Sequence, residues 1–399
     1  MLRVSIPLAN YATKVNRKFG VLFTAGPLST SRTVREAQLE DYGSRDATFV
    51  NAIKDVRNGV LAVAEADPAA WTTIPMQGSG TMGIEAVINS ISPPPTKNPN
   101  GKWLIVRNGA YSYRMAAIAE KRGLNVVPFD VEEGAEVDLT KLQSILEKEG
   151  SNITHAGIVH CETSTGMFNP ILGFNRLVKR YNPAATVFVD AMSSFGGVEF
   201  RVPDVCDVMV TSANKCIQGV PGFSVVVARR QLMDACRGNS PSYTLDIVSQ
   251  NDGLDKSGQF GNTPPVQAIM AFQQALKEHV AEGGVAARAA RYKANNDYIA
   301  NEMTKLGFKL FLDRSKPSFG HIITAYHAPK TASGAPVPNW DFMTFYNRLK
   351  EGGFVIYPGK ASFADTFRIG ALGDIHMADC EALMAEVKVT LKEMNVTFQ

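Results

Sequence analysis

Asp190 and Lys215 are the pair of residues in this chain whose types and surroundings point most directly to chemistry. Residues 186–189 form a β-branched and aromatic run that stops at Asp190. Residues 208–211 form a second apolar run that stops just before Ser212-Ala213-Asn214-Lys215. Both read as short buried strands. In an open parallel sheet, ligands bind beyond the carboxyl ends of the strands, so both side chains are expected in one crevice. An amine there can form a Schiff base, and a carboxylate facing a ring nitrogen keeps that nitrogen protonated so the ring can accept electrons. Pyridoxal phosphate chemistry needs that pair. The competing reading is a solvated surface pair. Against it stand the loops Ser193-Ser194-Phe195-Gly196-Gly197 and Ile217-Gln218-Gly219-Val220-Pro221-Gly222, whose glycines let backbone approach a ligand closely.

A third feature offers an anion site. Residues 72–76 read as a strand, and Gln77-Gly78-Ser79-Gly80-Thr81-Met82-Gly83 then turns into a helix carrying Ile84, Val87 and Ile88. The G-x-G-x-x-G spacing is that of a dinucleotide fingerprint, which also needs an acid roughly 20 residues further on. The next strand, 103–106, ends instead in Arg107-Asn108-Gly109-Ala110-Tyr111, where Arg107 leaves an NADP reading open. A simpler reading has Ser79, Gly80 and Thr81 cradling one phosphate at the helix N-terminus, and a packing turn without ligand is the third. Tyr111, in the loop after the strand, offers an aromatic face for a cofactor ring or a lid over the core. Residues 156–160 form a further strand, followed by the hydroxyl-rich Cys161-Glu162-Thr163-Ser164-Thr165-Gly166, which suits a phenolic oxygen. His160 reads as a core histidine.

The elements that position these residues alternate. A helix is expected over 49–64, a strand over 125–128 and a helix over 139–147. Residues 238–265 read as a long polar loop ending in Gly261-Asn262-Thr263-Pro264-Pro265. Helices over 266–280 and 285–306 bridge to alternating elements: strands 321–326, 354–357 and 366–369, and helices 341–350 and 377–394. The pattern is α/β, with a large mostly parallel sheet and a small α+β C-terminal domain. The expected division is a lead-in over 1–20, a large domain over 21–280 and a small one over 281–399.

The chain has 399 residues, 45% hydrophobic and 20% charged, with a net charge of +3. That balance argues for neither nucleic acid nor a membrane surface. Cys161, Cys206, Cys216, Cys236 and Cys380 are scattered, which gives no metal framework and suits free thiols in a reducing compartment. The cytoplasm is the expected location, although Arg3, Lys14, Arg17, Lys18, Arg32 and Arg35, without an acid among them, faintly resemble an organellar presequence.

Taken together, TAGPLSTSRTV, MQGSGTMGIEAV, VRNGAYSYRM, HCETSTGMFNPI, VDAMSSFGG, SANKCIQGVPGF, EGGFVIYPGK and FRIGALG resemble the 2-aminoethylphosphonate–pyruvate transaminases. These are fold-type I pyridoxal-phosphate enzymes of the class V aminotransferase group, built on a large seven-stranded-type sheet. The resemblance runs from about residue 21 to the C-terminus. It implies a homodimer that acts on 2-aminoethylphosphonate and pyruvate. It makes Lys215 the Schiff-base lysine and Asp190 the partner of the ring nitrogen. Ser79, Gly80 and Thr81 become the phosphate turn, Tyr111 the stacking aromatic, and Thr163 the hydroxyl near the phenolic oxygen. Asn214 and Thr263 become phosphate contacts, Thr263 reaching across from the other subunit. Arg368 becomes the grip on the substrate's anionic end, with Gly26 in the turn that frames it. The family's usual T-P-G-P turn reads Thr24-Ala25-Gly26-Pro27 here, and Thr263 lies in GNTPP rather than a more common S-P-rich form. A class V enzyme for another small amino donor, such as alanine with glyoxylate, would keep the same cofactor residues. The dinucleotide-dependent oxidoreductase remains the outside alternative.

Overall fold

The computed structural model describes residues 20–361 and 364–398. The basic lead-in, up to residue 19, lies outside the described residues. A seven-stranded sheet forms the centre of the large unit. Its strands in chain order are Trp71–Gln77 (β1), Lys102–Arg107 (β2), Asn125–Asp130 (β3), Ile153–Val159 (β4), Thr186–Asp190 (β5), Val208–Ser212 (β6) and Phe223–Arg229 (β7). Across the sheet they run β1-β7-β6-β5-β4-β2-β3, with β7 antiparallel to both neighbours. Both inner strands, β5 and β6, are buried along almost their whole length. Continuous apolar runs are what a sheet covered on both faces requires. The register sets Asp190 beside Val159 and Val210, so the ends of β4, β5 and β6 meet at one edge.

Helices cover the sheet: Ala47–Val63 (α1), Gly80–Ile91 (α2), Ala110–Lys121 (α3), Leu139–Glu149 (α4), Ile171–Tyr181 (α5), Ile247–Ser257 (α6) and Val266–Glu282 (α7); Gly284–Lys305 (α8) follows and packs on α7. Ser79 caps α2, its hydroxyl accepting from the Met82 amide. α2 packs on β6 and β7, and Gly83 is the point of closest approach. A Cβ there would stand 2.7 Å from the Ser224 Cβ and 3.0 Å from Val210 Cγ2.

Several elements differ from expectation. Tyr111 lies in the first turn of α3 rather than in a loop. The helix starts there because Ser112 Oγ accepts from the Asn108 and Gly109 amides, while the Glu162 carboxylate accepts from Tyr111 and Ser112. Glu162 is remote in sequence, so local pattern does not announce the cap. The long polar loop expected over 238–265 contains α6. Asp246 caps it, and Ile247, Val248 and Leu254 are buried on one face. Asn251 on that face blurs the apolar stripe. It is buried because it accepts from Thr72 Oγ1. Strand β7 and helix α5 carry no expectation from the sequence; β7 is an antiparallel insertion into an otherwise parallel order.

In the small unit, Ile323–His327 (β8), Tyr357–Pro358 (β9) and Thr366–Gly370 (β10) form a sheet in the order β8-β10-β9. Phe342–Glu351 (α9) and Met377–Glu393 (α10) complete its core. The start of the described chain joins it. Val21–Leu22 pairs with Phe354–Val355, and Val21 and Phe23 are fully buried in that second core.

Gly83→Ala tests the seating of α2. The added methyl overpacks the helix against β7, so unfolding free energy is expected to fall by about 1–3 kcal/mol. Urea denaturation of the variant beside wild type measures it, and unchanged stability would refute the close contact.

Candidate active site

A cavity of about 380 Å³ opens at the carboxyl edge of the sheet. Asp190, Lys215, Tyr111 and Asn214 line it, as do Ser79, Gly80 and Thr81 at the start of α2. Strands far apart in sequence thus deliver the expected amine, carboxylate, aromatic ring and helix N-terminus to one space.

Lys215 follows β6 in a turn that is gripped from behind. Arg288 and Tyr292 on α8 both donate to the Cys216 carbonyl, at 2.7 and 3.4 Å, and Gln218 donates to the Tyr292 hydroxyl at 2.7 Å. The Lys215 ammonium donates to the Ala25 carbonyl. Gly26 lies against it, and a Cβ at Gly26 would stand 2.6 Å from Nζ. Gly26 therefore borders the amine. Thr24 closes the turn, donating to the Pro27 carbonyl at 2.6 Å. Burial lowers the Lys215 pKa, opposed by Tyr111, Cys216, Cys161 and Asp190.

Asp190 is 2% exposed, and its Oδ1 accepts from the Met192 amide at 2.8 Å. Burial raises its pKa to about 7. The Met192 amide pulls the other way, Glu162 adds to the rise, and Lys215 and Arg114 offset part of it. The protein's own groups leave this carboxylate's charge poorly compensated.

The Thr163 side chain stands close enough to the Tyr111 hydroxyl to act on its titration. Burial alone would raise this phenol's pKa, but Lys360, Lys215, Arg368 and Thr163 together bring it below the ordinary value. Arg368 lies on β10, the central strand of its sheet, with Phe367 and Ile369 in the second core and its own side chain turned the other way. It is 5% exposed, buried on the central strand of its sheet. Nη1 donates to the Thr163 carbonyl at 2.8 Å and Nε to the Pro358 carbonyl at 3.1 Å. Thr263 is exposed and does not line its own chain's cavity. His160 is buried, as expected for a core residue, with Nδ1 2.9 Å from Ser194 Oγ.

Arg114 was not expected. It lines the cavity, donates to Thr81 Oγ1 at 2.9 Å and sets its guanidinium 5.0 Å from the Tyr111 ring centre. It stands one helical turn after Tyr111, a relation visible in sequence only once α3 is recognised. Arg107, weighed above for a 2′-phosphate, is committed to Asp130 in a two-pronged pair at 2.7 and 2.8 Å.

The family model for class-V aminotransferases matches residues 35–330. The chain is 41% identical over 370 residues to a 2-aminoethylphosphonate–pyruvate transaminase of Bacillus cereus, covering 92% of this chain and 96% of that one. This chain is a class-V aminotransferase. It is also 41% identical over 365 residues to a bifunctional phosphonoacetaldehyde hydrolase/aminoethylphosphonate transaminase of Clostridioides difficile, covering 91% of this chain and 55% of that one. Among solved structures, ureidoglycine–glyoxylate aminotransferase of Bacillus subtilis shares the fold, with a TM-score of 0.83 at 21% identity over 95% of each chain. Pyridoxamine–pyruvate aminotransferase of Mesorhizobium loti does so too, with a TM-score of 0.83 at 21% identity over 94% of this chain and 92% of that one. The dinucleotide-dependent oxidoreductase is thereby set aside.

Class-V aminotransferases depend on pyridoxal phosphate. The residues of this cavity fit it: an amine of lowered pKa, an uncompensated carboxylate for a cationic ring nitrogen, an aromatic face, and a capped helix N-terminus for a phosphate.

The raised Asp190 pKa has a measurable consequence in cofactor-free protein. The folded state holds the proton up to about pH 7, whereas a free carboxylate releases it near 3.8. Folding therefore favours the protonated form, and the group costs stability progressively as pH rises from about 4 to 7. Asp190→Asn is expected to match wild type below pH 4 and to exceed it by a few kcal/mol above pH 7. Urea unfolding across that range reads the difference, and a constant offset would contradict the assignment.

Proposed function

We propose that this aminotransferase moves the amino group of 2-aminoethylphosphonate to pyruvate, giving phosphonoacetaldehyde and L-alanine in two successive half-reactions. The observation that carries the reading is Arg368. This buried guanidinium donates to the Thr163 carbonyl and acts with Lys215 on the phenol of Tyr111, which lines the cavity, in a chain 41% identical to a relative named for this substrate. Two of its five N–H groups are engaged by carbonyls, which leaves three for a phosphonate or a carboxylate. When bound, pyridoxal phosphate supplies the electron sink for the charge left as a proton leaves the amino-bearing carbon. Lys215 is the anchoring amine, and its Nζ, once free, takes that proton and returns one in the reverse sense. Burial lowers its pKa and so favours the neutral amine that this work requires. With the cofactor bound, Asp190 would keep the ring nitrogen protonated, Ser79, Gly80, Thr81 and Asn214 would hold the phosphate, Tyr111 would offer its face to the ring and Thr163 its hydroxyl to the phenolic oxygen. Gly26 lets the turn 24–27 close over the amine. The proposed division is a large unit over residues 21–280 and a small one over 281–399, with the segment Val21–Phe23 crossing over to pack in the small unit's core. The five cysteines are free and buried, which suits a reducing compartment, and the cytoplasm is the proposed location.

Purified enzyme with 2-aminoethylphosphonate and pyruvate is expected to accumulate alanine. A preference for alanine with glyoxylate, with no turnover of the phosphonate, would sink the reading. Arg368→Lys keeps the charge and loses the fork. It is expected to lower kcat/KM for 2-aminoethylphosphonate and for pyruvate by about a hundredfold each, with cofactor absorbance unchanged. A loss in one half-reaction only would mean that the two anions are read by different residues.

The active unit is proposed to be a homodimer. Thr263 is exposed in the segment between α6 and α7, and its proposed role is a contact to the cofactor phosphate of a second copy. Lys215→Ala and a disabling Thr263 variant, each inactive alone, are expected to regain activity when mixed under conditions of subunit exchange. Full activity of a sedimenting monomer would rule the dimer out.

A further inference from the structure

The hairpin that carries Arg368 carries a second cation. Lys360 follows β9 on the way to β10, and its Nζ stands 4.7 Å from the centre of the Tyr111 ring. The ring has another cation neighbour in Arg114, but that guanidinium is engaged by Thr81 at the phosphate cradle. Lys360 belongs instead with Arg368. Both act with Lys215 on the Tyr111 phenol, whose neighbour Thr163 offers its carbonyl to Arg368. Among the described residues, neither Lys360 nor Arg368 has a carboxylate partner. Glu162 is nearby, but it is fully buried and occupied by the Tyr111, Ser112 and Ser164 donors.

The small unit thus brings two cations without carboxylate partners to Tyr111 and its neighbour Thr163. A carboxylate such as pyruvate's carries one negative charge and is answered by Arg368 alone. A phosphonate resembles a phosphate monoester, which carries nearly two charges at neutral pH and three acceptor oxygens. We propose that Lys360 is a specificity-determining residue that takes the second negative charge of a phosphonate, while Arg368 serves phosphonate and carboxylate alike. The inference rests on the reaction proposed above.

The side chain's chemistry suits a part-time contact. Lysine is a compact point charge on a flexible stem, where arginine is a fixed fork. Lys360 is exposed, so its position over the aromatic face is a weak hold compared with a charged hydrogen bond. It can leave the ring when a phosphonate enters and return when a carboxylate does.

The test uses ethylphosphonate and propanoate as unreactive inhibitors of the holoenzyme, so that binding is read apart from turnover. Lys360→Met keeps the stem and removes the charge. It is expected to weaken ethylphosphonate inhibition about tenfold and propanoate inhibition less than about twofold. Lys360→Arg is expected to retain most of the selectivity, and unchanged cofactor absorbance shows that the site is intact. Equal losses for the two inhibitors, or no loss for either, would overturn this role while wild-type turnover of 2-aminoethylphosphonate still stood. Wild-type enzyme that leaves 2-aminoethylphosphonate unconverted would overturn the functional reading and this assignment with it.

Discussion

The hydrogen bond from the Lys215 ammonium to the Ala25 carbonyl is the contact on which the site depends. A buried amine needs a partner, and the nearest strong one in such a crevice would be a carboxylate. A direct ion pair with Asp190 would hold the amine charged and cancel the charge of the carboxylate. Giving Lys215 a neutral carbonyl keeps both groups available. The carbonyl must therefore be held in place by the rest of the fold. The Gly370 amide donates to the Phe23 carbonyl at 2.9 Å, and the Leu22 amide donates to Ser29 Oγ at 2.9 Å. Val21 and Phe23 are packed in the second core. The small unit thus presents the turn to the large unit's lysine.

The same coupling recurs at the hydroxyl-rich segment after β4. Its backbone is stitched to the small unit by Phe168 N to the Ser318 carbonyl at 2.8 Å and Gly320 N to the Gly166 carbonyl at 3.1 Å. Arg368 adds a third tie at the Thr163 carbonyl. On its other side, Glu162 holds the first turn of α3 and with it Tyr111. Burial pushes the Glu162 carboxyl above the usual range, against hydrogen bonds from Ser164, Ser112 and Tyr111. The helix that carries Tyr111 and the strand that carries Arg368 therefore share one short loop.

The paired strands ending in Asp190 and Lys215, and the glycine-rich turn into α2, were legible in the sequence. Buried parallel strands are short, apolar and continuous, and their ends are the places where polar residues break the run. Arg368 entered through the resemblance alone; on its strand, Phe367 and Ile369 stand in the second core and the arginine on the opposite face. Tyr111's helix was missed because its cap comes from Glu162 across the fold. Helix α6 was missed because a buried Asn251 interrupts its apolar face.

The sequence by itself determined which residue types stand at the strand ends, and thereby an amine and a carboxylate at one sheet edge, a glycine-rich turn into a helix and the α/β class. These are local matters: period, turn chemistry and the residues that break a buried run. Only the tertiary structure decided the partners. It matched Lys215 to the Ala25 carbonyl, Tyr111 to Thr163, Arg114 to Thr81, Lys360 to the Tyr111 ring and Arg368 to the Thr163 carbonyl. Such pairings join residues remote in sequence, and they are chosen by which charges burial leaves unpaired once the two cores have formed.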